Sequence, residues 1–178
     1  MLSEGSESAS AAKAGSLSAA AKVRSLGFET VTALRPGEHC CHGELQITAT
    51  AGAPVPQVEN GYLLEHPAGS LYLEPHGYLS PDLPARPLDA VITPVVDLGL
   101  PLAGAFVRGQ AVLPQLLERF SPRTVLASTA GGDVAFSGLL TRLLWMKGST
   151  ATAAAAMPAG SQLIDPKVGE RYTLAAEA

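Results

Sequence analysis

Alternation of polar and apolar residues through the first half of the chain predicts short strands. Residues 44–50 alternate with the period of a strand, and so do the arms 62–66 and 70–74 of a hairpin whose turn lies at 67–69. A shorter alternating run over 29–34 ends at a Pro-Gly pair, which is typical of a turn. This part of the chain is therefore expected to form strands joined by tight connections.

The second half of the chain alternates strands with helices. The apolar runs 90–96 and 123–128 have the length of strands that are buried on both faces. Apolar residues at helical spacing predict helices over 112–120 and 136–144, and Pro114 is tolerated in the first of these only if it lies in the first turn. This order of elements predicts an α/β fold with a mixed sheet and helices outside it.

Three further segments are assigned from capping and turn residues. A short helix is expected over 18–26, with a serine hydroxyl as its cap. The segment 98–107 is expected to be a loop. Residues 163–164 are expected to pair with 172–174 as a last small hairpin, because Pro and Gly lie between them.

Composition indicates one globular domain. The chain has 178 residues, of which 47% are hydrophobic and 16% are charged, so a sizeable core can form. Residues 1–17 are rich in Ser, Ala and Gly and are expected to be a disordered tail. The domain is therefore expected over 18–176.

The charge and the cysteine count exclude several classes of partner. A formal net charge of -4 without a basic stripe argues against nucleic acid. No apolar run reaches the roughly 18 residues that a membrane helix needs, so we expect a soluble protein and no membrane partner. A small-molecule substrate is one partner that the sequence leaves open. Cys40 and Cys41 are adjacent and form no disulfide framework. A cytoplasmic or chloroplast stromal location is therefore favoured over secretion.

Candidates for catalysis are few, and the sequence assigns no catalytic residue. The chain has no Gly-x-Ser-x-Gly, Walker, dinucleotide or Cys-x-x-Cys pattern. The densest cluster of potential metal ligands is Glu38-His39-Cys40-Cys41-His42, just past a Pro-Gly turn between two strands. Neighbouring side chains on an extended segment point to opposite faces, so adjacent donors rarely converge on one tetrahedral ion. We expect a polar loop tip there, with no metal.

The segment Glu74-Pro75-His76-Gly77 is the stronger candidate site because it follows a strand, where α/β folds place functional loops. Its carboxylate and imidazole can face the same cavity, where they would bind zinc, iron or manganese, or share a proton. Alternatively, the imidazole caps the loop through a hydrogen bond to the carboxylate. The sequence leaves both interpretations open.

A family resemblance is spread over residues 17–147. The segments that carry it are Gly27-Phe28, Leu34-Arg35-Pro36-Gly37, the runs 47–52, 59–62, 71–77 and 91–94, and the Gly131-Gly132-Asp133 region. Together they resemble the metallo-β-lactamase superfamily, in particular the metal-dependent hydrolase-like branch of cyanobacteria and plant plastids. The resemblance implies an αββα sandwich of mixed sheets with outer helices, and a dinuclear site whose metal-bound hydroxide attacks an ester, amide or phosphodiester.

The resemblance is incomplete at the metal site. The family signature His-x-His-x-Asp-His occurs nowhere in the chain, and the positions that match two later family histidines lie near 50–52 and at Thr129. The bridging carboxylate of the family falls near Glu74, with His76 beside it, so these two residues are the expected ligands for zinc or iron. The resemblance therefore implies a chain that is incomplete at its N-terminus or a site that has degenerated.

Two functions follow from these observations. The first is a metal-dependent hydrolase-like protein that uses Glu74 and His76. The second is a non-catalytic domain of the same fold, which binds a ligand or a protein with the loops 51–60, 77–87 and 98–108. Because the resemblance lacks part of the family's sheet, we also expect a second copy or a partner chain to cover an exposed sheet edge.

Overall fold

The fold is built around one seven-stranded sheet, seen in a computed structural model that describes residues 13–53, 59–128 and 143–174. In chain order the elements are β1 (Lys13–Gly15), α1 (Leu17–Ser25), β2 (Val31–Ala33), β3 (His39–His42), β4 (Leu45–Thr50), β5 (Gly61–His66), β6 (Gly69–Leu73), β7 (Ala90–Pro94), β8 (Asp97–Leu100), β9 (Gly104–Arg108), α2 (Gly109–Phe120), β10 (Thr124–Ser128), β11 (Trp145–Lys147), α3 (Thr150–Ala155) and β12 (Gln162–Ile164).

The seven-stranded sheet is mixed, as the sequence predicts. Its order is β12-β10-β7-β6-β5-β4-β3, in which β12, β10, β7 and β6 run parallel and β6 to β3 are joined antiparallel. Two smaller sheets accompany it, a parallel pair β1-β2 and an antiparallel sheet β11-β8-β9. The expected α/β class with a mixed sheet is confirmed.

One face of the large sheet packs against α2. The register places Leu63, Tyr72 and Val91 side by side on this face, on three neighbouring strands. They pack against the apolar side of α2, where Leu116 is buried and the ring of Phe120 lies 5.3 Å from that of Tyr72. This apolar layer fixes the position of α2. The candidate site lies at the start of that helix.

The opposite face of the sheet is apolar and only partly covered. Its side chains alternate with those that face α2 and are half-buried: Ile47, Tyr62, Leu64, Leu71, Leu73, Ile92, Leu126 and Ile164. The expectation of a partner that covers exposed sheet surface stays a prediction.

The expected loop over 98–107 is wrong, because the segment forms the hairpin β8-β9. The two glycines that suggest a loop in the sequence have different roles here. A side chain at Gly99 would collide with the indole ring of Trp145 in β11, which pairs with β8 at this point, whereas Gly104 has φ +79 and no close neighbour. Trp145 therefore packs on a strand of a small sheet and is not part of a helix.

The expected pairing of 163–164 with 172–174 is also wrong. The first segment lies in β12 and pairs in parallel with β10, while residues 171–174 form no strand. The free edge of β10 provides a longer and more apolar partner than the short polar tail does.

Pro114 is found inside α2 and not in its first turn. Its ring removes one backbone donor from the ladder, and α2 tolerates this loss because Pro114 lies on the solvent side.

The polar loop tip expected over 38–42 is wrong in its local structure. Residues 39–42 form the strand β3, which pairs with β4 through a two-residue turn at Gly43 and Glu44. Gly43 has φ +60, which such a turn requires of its first central residue. The cluster is therefore on the edge strand of the large sheet.

The N-terminal helix is close to its prediction, although Ser16 and not Ser18 is its cap, with the Ser16 hydroxyl accepting from the Ala19 amide. Structure begins before residue 18, because β1 pairs with β2 within the segment expected to be a tail. The expected helix over 136–144 falls largely outside the described residues. The division into a tail over 1–17 and a domain over 18–176 otherwise stays a prediction.

Within the described ranges, no helix is long and apolar enough to cross a bilayer.

Replacement of Phe120 tests the packing of α2 on the sheet. Phe120→Ala should lower the free energy of unfolding by about 3 to 5 kcal/mol, because a buried ring and its contact with Tyr72 are lost. Phe28→Ala is the matched control, since Phe28 is 42% exposed and should lose well under half as much. Urea unfolding followed by circular dichroism measures both, and equal losses would contradict this account of the core.

Candidate functional site

The candidate site is the turn that follows β6 at Glu74-Pro75-His76-Gly77. The amide of Glu74 donates to the Ile92 carbonyl at 2.9 Å, so the chain is still tied to β7 when it leaves the strand. The Glu74 side chain is completely buried. Its Oε2 accepts from the Tyr78 amide at 2.7 Å, and both of its oxygens lie 3.1 Å from the His76 amide. The carboxylate therefore holds the turn closed from inside.

Burial determines the electrostatics of this carboxylate. Loss of water raises the pKa of Glu74 above its ordinary value, and this outweighs the opposing hydrogen bonds from the amides of Tyr78, His76 and Gly77. The neighbouring Tyr72 is also fully buried, and burial raises the pKa of its hydroxyl to about 12. The interior of the sheet beside the site thus favours neutral side chains.

The imidazole of His76 lies on the outer side of the turn. Its Nδ1 is 3.4 Å from Oε2 of Glu59, out of line for a hydrogen bond, and this buried nitrogen has no hydrogen-bond partner among the described residues. Glu59 reaches this position because the chain crosses itself closely at Gly52, where a side chain would overlap the Glu59 carbonyl. A buried ring nitrogen that lies in ion-pair range of a carboxylate but forms no hydrogen bond is unusual.

Gly77 brings the turn into contact with the start of α2. It has φ +69, and a Cβ atom there would lie 2.4 Å from the backbone of Arg108 and Gly109. The Arg108 amide donates to the His76 carbonyl at 2.9 Å across this contact. The imidazole and the Arg108 side chain are thereby brought to one side of the molecule.

A cavity of about 450 Å³ opens between these two side chains. It is lined by His76, by Val112 and Gln115 of α2, and by residues from all three segments that the sequence suggests as pocket loops: Ala53, Gly77, Tyr78, Leu79, Ala105, Phe106 and Arg108. Apolar and polar groups share the wall, and its polar side chains are those of His76, Tyr78, Arg108 and Gln115. Among the described residues, Arg108 forms no ion pair. This combination is typical of a small-molecule site.

The donors at this position do not fit a dinuclear metal centre. Both oxygens of Glu74 already accept backbone hydrogen bonds, which leaves the His76 ring nitrogen as the only free donor of the expected pair. No group of three or more His, Cys, Asp or Glu side chains suited to an ion occurs in residues 13–53, 59–128 and 143–174. A dinuclear site needs roughly six donors. Metal binding by Glu74 and His76 stays a prediction.

The sequence identifies part of this site. It predicts that Glu74 and His76 follow a strand, and the structure places them there. It does not identify Glu59 or Arg108, because each reaches the site through a distant backbone contact, at Gly52 and at Gly77 respectively. The two glycines are the only signal, and glycine is too common in loops for these two positions to stand out.

Comparison with solved structures finds similar folds. The chain is similar to the metallo-β-lactamase fold protein YhfI from Bacillus subtilis, at 12% identity and a TM-score of 0.47, over 73% of this chain and 55% of that one. It is also similar to an isothiocyanate hydrolase from Delia radicum gut bacteria, at 15% identity and a TM-score of 0.46, over 64% and 50%. A third similar structure is CmlA, a diiron β-hydroxylase from Streptomyces venezuelae, at 15% and 0.43, over 61% and 27%.

The chain spans between about a quarter and just over half of the length of these three structures. No family model matches the chain, and no curated protein matches it.

Replacement of Gly77 tests the contact that assembles the site. Gly77→Ala should destabilise the protein at least twice as much as Gly37→Ala, measured as the free energy of unfolding in urea. Both glycines have positive φ, but only Gly77 has backbone atoms in the place of a new Cβ. The control should lose roughly 1 to 2 kcal/mol from its backbone conformation alone. Equal losses would show that the turn does not pack on Arg108 and Gly109.

Replacement of Glu74 tests the raised pKa of its carboxyl group. The folded protein retains the proton of Glu74 at pH values where the unfolded chain, with an ordinary pKa of 4.5, has lost it. The stability of the wild type relative to Glu74→Gln should therefore fall as pH rises from about 4.5 through the raised pKa, and stay level above it. Urea unfolding at a series of pH values measures this difference. A difference that rises with pH would mean that the hydrogen bonds outweigh burial.

Proposed function

We propose that this protein is a metallo-β-lactamase-like domain that binds a small anionic molecule in the cavity between His76 and Arg108. The observation that carries the proposal is that a buried imidazole nitrogen without a hydrogen bond and a guanidinium that forms no ion pair among the described residues lie at the same cavity. The cavity is of suitable size, and its wall combines apolar side chains with polar groups.

The chemistry of the two side chains supports an anionic ligand. A guanidinium presents parallel donors that match a carboxylate or a phosphate. An imidazole N–H adds a further hydrogen-bond donor beside it. The apolar walls from Leu79, Phe106 and Val112 suit the carbon skeleton of such a ligand.

Metal-dependent hydrolysis with zinc or iron at Glu74 and His76 is the second candidate. It is favoured by one observation, that a buried carboxyl group and a ring nitrogen without a hydrogen bond follow the same strand, β6. The bound carboxylate oxygens count against it. Under this candidate the protein would be a hydrolase, and its further ligands would lie outside the described residues.

The ligand proposal predicts binding that depends on Arg108. Inorganic phosphate, phenyl phosphate and succinate serve as probes, in thermal melts and in isothermal titration calorimetry. At least one probe should raise the melting temperature, and Arg108→Gln should weaken its binding at least about tenfold, because a charged contact in a partly apolar cavity is lost. His76→Gln should weaken it as well.

The matched control is Arg171→Gln, which removes the same charge from an exposed position far along the chain. It should leave binding unchanged. Binding that is equally weakened in the control, or absent for all three probes, would contradict the proposal. Zinc or iron that purifies with the protein at one ion per chain and is lost in His76→Ala would favour the hydrolytic candidate instead.

A further inference from the structure

The edge strand β3 carries the sequence His39-Cys40-Cys41-His42 at the free end of the large sheet. β4 is its only strand partner among the described residues. His39, Cys41 and His42 are exposed, and Cys40 is partly buried. Exposed edge strands usually carry lysine, proline or a bulge that prevents pairing with other chains. None of these occurs between residues 39 and 42.

The pleat of β3 divides its four potential ligands equally between the two faces of the sheet. His39 is opposite Thr48 and Cys41 is opposite Gln46, so both lie on the face that packs against α2. Cys40 and His42 lie on the other face. Each face thus has one imidazole and one thiol, about 6.6 Å apart along the strand. Two such donors are half of the tetrahedral set that zinc binds in structural sites.

The backbone of β3 can accept a further antiparallel strand. The two-residue turn makes His42 and Leu45 a hydrogen-bonded pair, and the Ala49 amide donates to the Glu38 carbonyl at 2.9 Å. Because antiparallel pairing alternates, the even-numbered residues of β3 bond to β4 and the amide and carbonyl groups of His39 and Cys41 point outward. These groups are the ones that another strand would meet.

A second copy of the chain is the partner that completes the ligand set. Two identical antiparallel strands are related by a two-fold axis, which places a residue opposite its own counterpart. With the axis at Cys40, His39 of each copy lies opposite Cys41 of the other, and one face holds two thiols and two imidazoles. With the axis at Cys41, Cys40 and His42 form the same set on the other face. The sequence His-Cys-Cys-His therefore gives two cysteines and two histidines in either register.

The distances suit one zinc ion. Opposite residues in an antiparallel pair lie about 5 Å apart, and diagonal residues about 7 to 8 Å apart. The short cysteines then occupy one diagonal and the longer histidines the other. Zinc binds thiolate sulfur at about 2.3 Å and imidazole nitrogen at about 2.0 Å, so an ion above the centre of the four residues is within reach of all of them.

We infer that two copies of this protein pair through β3 and bind one zinc ion between them with two cysteines and two histidines. The site lies on a different edge of the sheet from the turn at Glu74 and does not depend on the ligand proposed there. It also provides the partner that covers the exposed edge strand.

The test measures mass and metal together on the full chain. Zinc is added to metal-free, reduced protein, and the mass is followed by light scattering after size-exclusion chromatography. The mass should double at one zinc ion per two chains and return to that of the monomer with a chelator. Cobalt in place of zinc should give the visible bands of a tetrahedral site and a thiolate-to-metal charge-transfer band. Doubling without metal, or zinc bound by a monomer, would overturn the inference.

Two double variants identify the face. His39→Asn with Cys41→Ser removes the ligands of one face, and Cys40→Ser with His42→Asn removes those of the other. One of these variants should lose both zinc binding and dimerisation, while the other retains both. Retention in both variants, or loss in both while the melting temperatures are unchanged, would refute the site. His76→Ala should retain the zinc-linked dimer, which separates this site from metal binding at the turn after β6.

Discussion

The buried carboxylate of Glu74 is the interaction on which the candidate site depends. It lies at the end of a parallel strand, where the chain has to turn away and leaves backbone donors without strand partners. The amides of His76 and Tyr78 find their acceptor in this one side chain. Once the turn is closed, Gly77 can approach Arg108, and the imidazole is fixed above the cavity. Without the carboxylate, two partly buried donors would lose their acceptor, which costs at most about 1 to 3 kcal/mol each.

This role gives Glu74 a structural reason to be present, whether or not a metal is bound. A carboxylate at the end of a strand in a chain that resembles a metal-dependent hydrolase suggests a metal ligand. The geometry shows that the same carboxylate is needed for the turn, because its oxygens face backbone amides. The residue alone therefore does not distinguish a working site from a degenerate one. The Nδ1 atom of His76 and the guanidinium of Arg108 are more informative, since the nitrogen has no hydrogen bond and the guanidinium no ion pair in the described part of the chain.

The strands that can be predicted from the sequence are those whose pattern is local. β4 and the hairpin β5-β6 alternate, and β7 and β10 are continuous apolar runs, so the sequence locates each within a residue or two of its ends. β8 and β9 escape prediction because glycines interrupt them, and Gly99 is accounted for only by its contact with Trp145, which is distant in sequence. The same limit applies to the site. Glu74 and His76 are close in sequence and are identified together, whereas Glu59 and Arg108 join them through chain crossings that no local pattern records.

The cluster His39-Cys40-Cys41-His42 shows how one change of local structure alters a chemical argument. On a loop tip, four adjacent donors suggest no site, because neighbouring side chains diverge. On an edge strand the same divergence becomes regular, since each face receives one thiol and one imidazole at a fixed spacing. Each face then lacks two of the four ligands of a tetrahedral zinc site. A symmetric second copy supplies two. The same four residues form an unprotected strand edge and provide half of a ligand set. Pairing of two copies there would cover the edge and complete the ligand set.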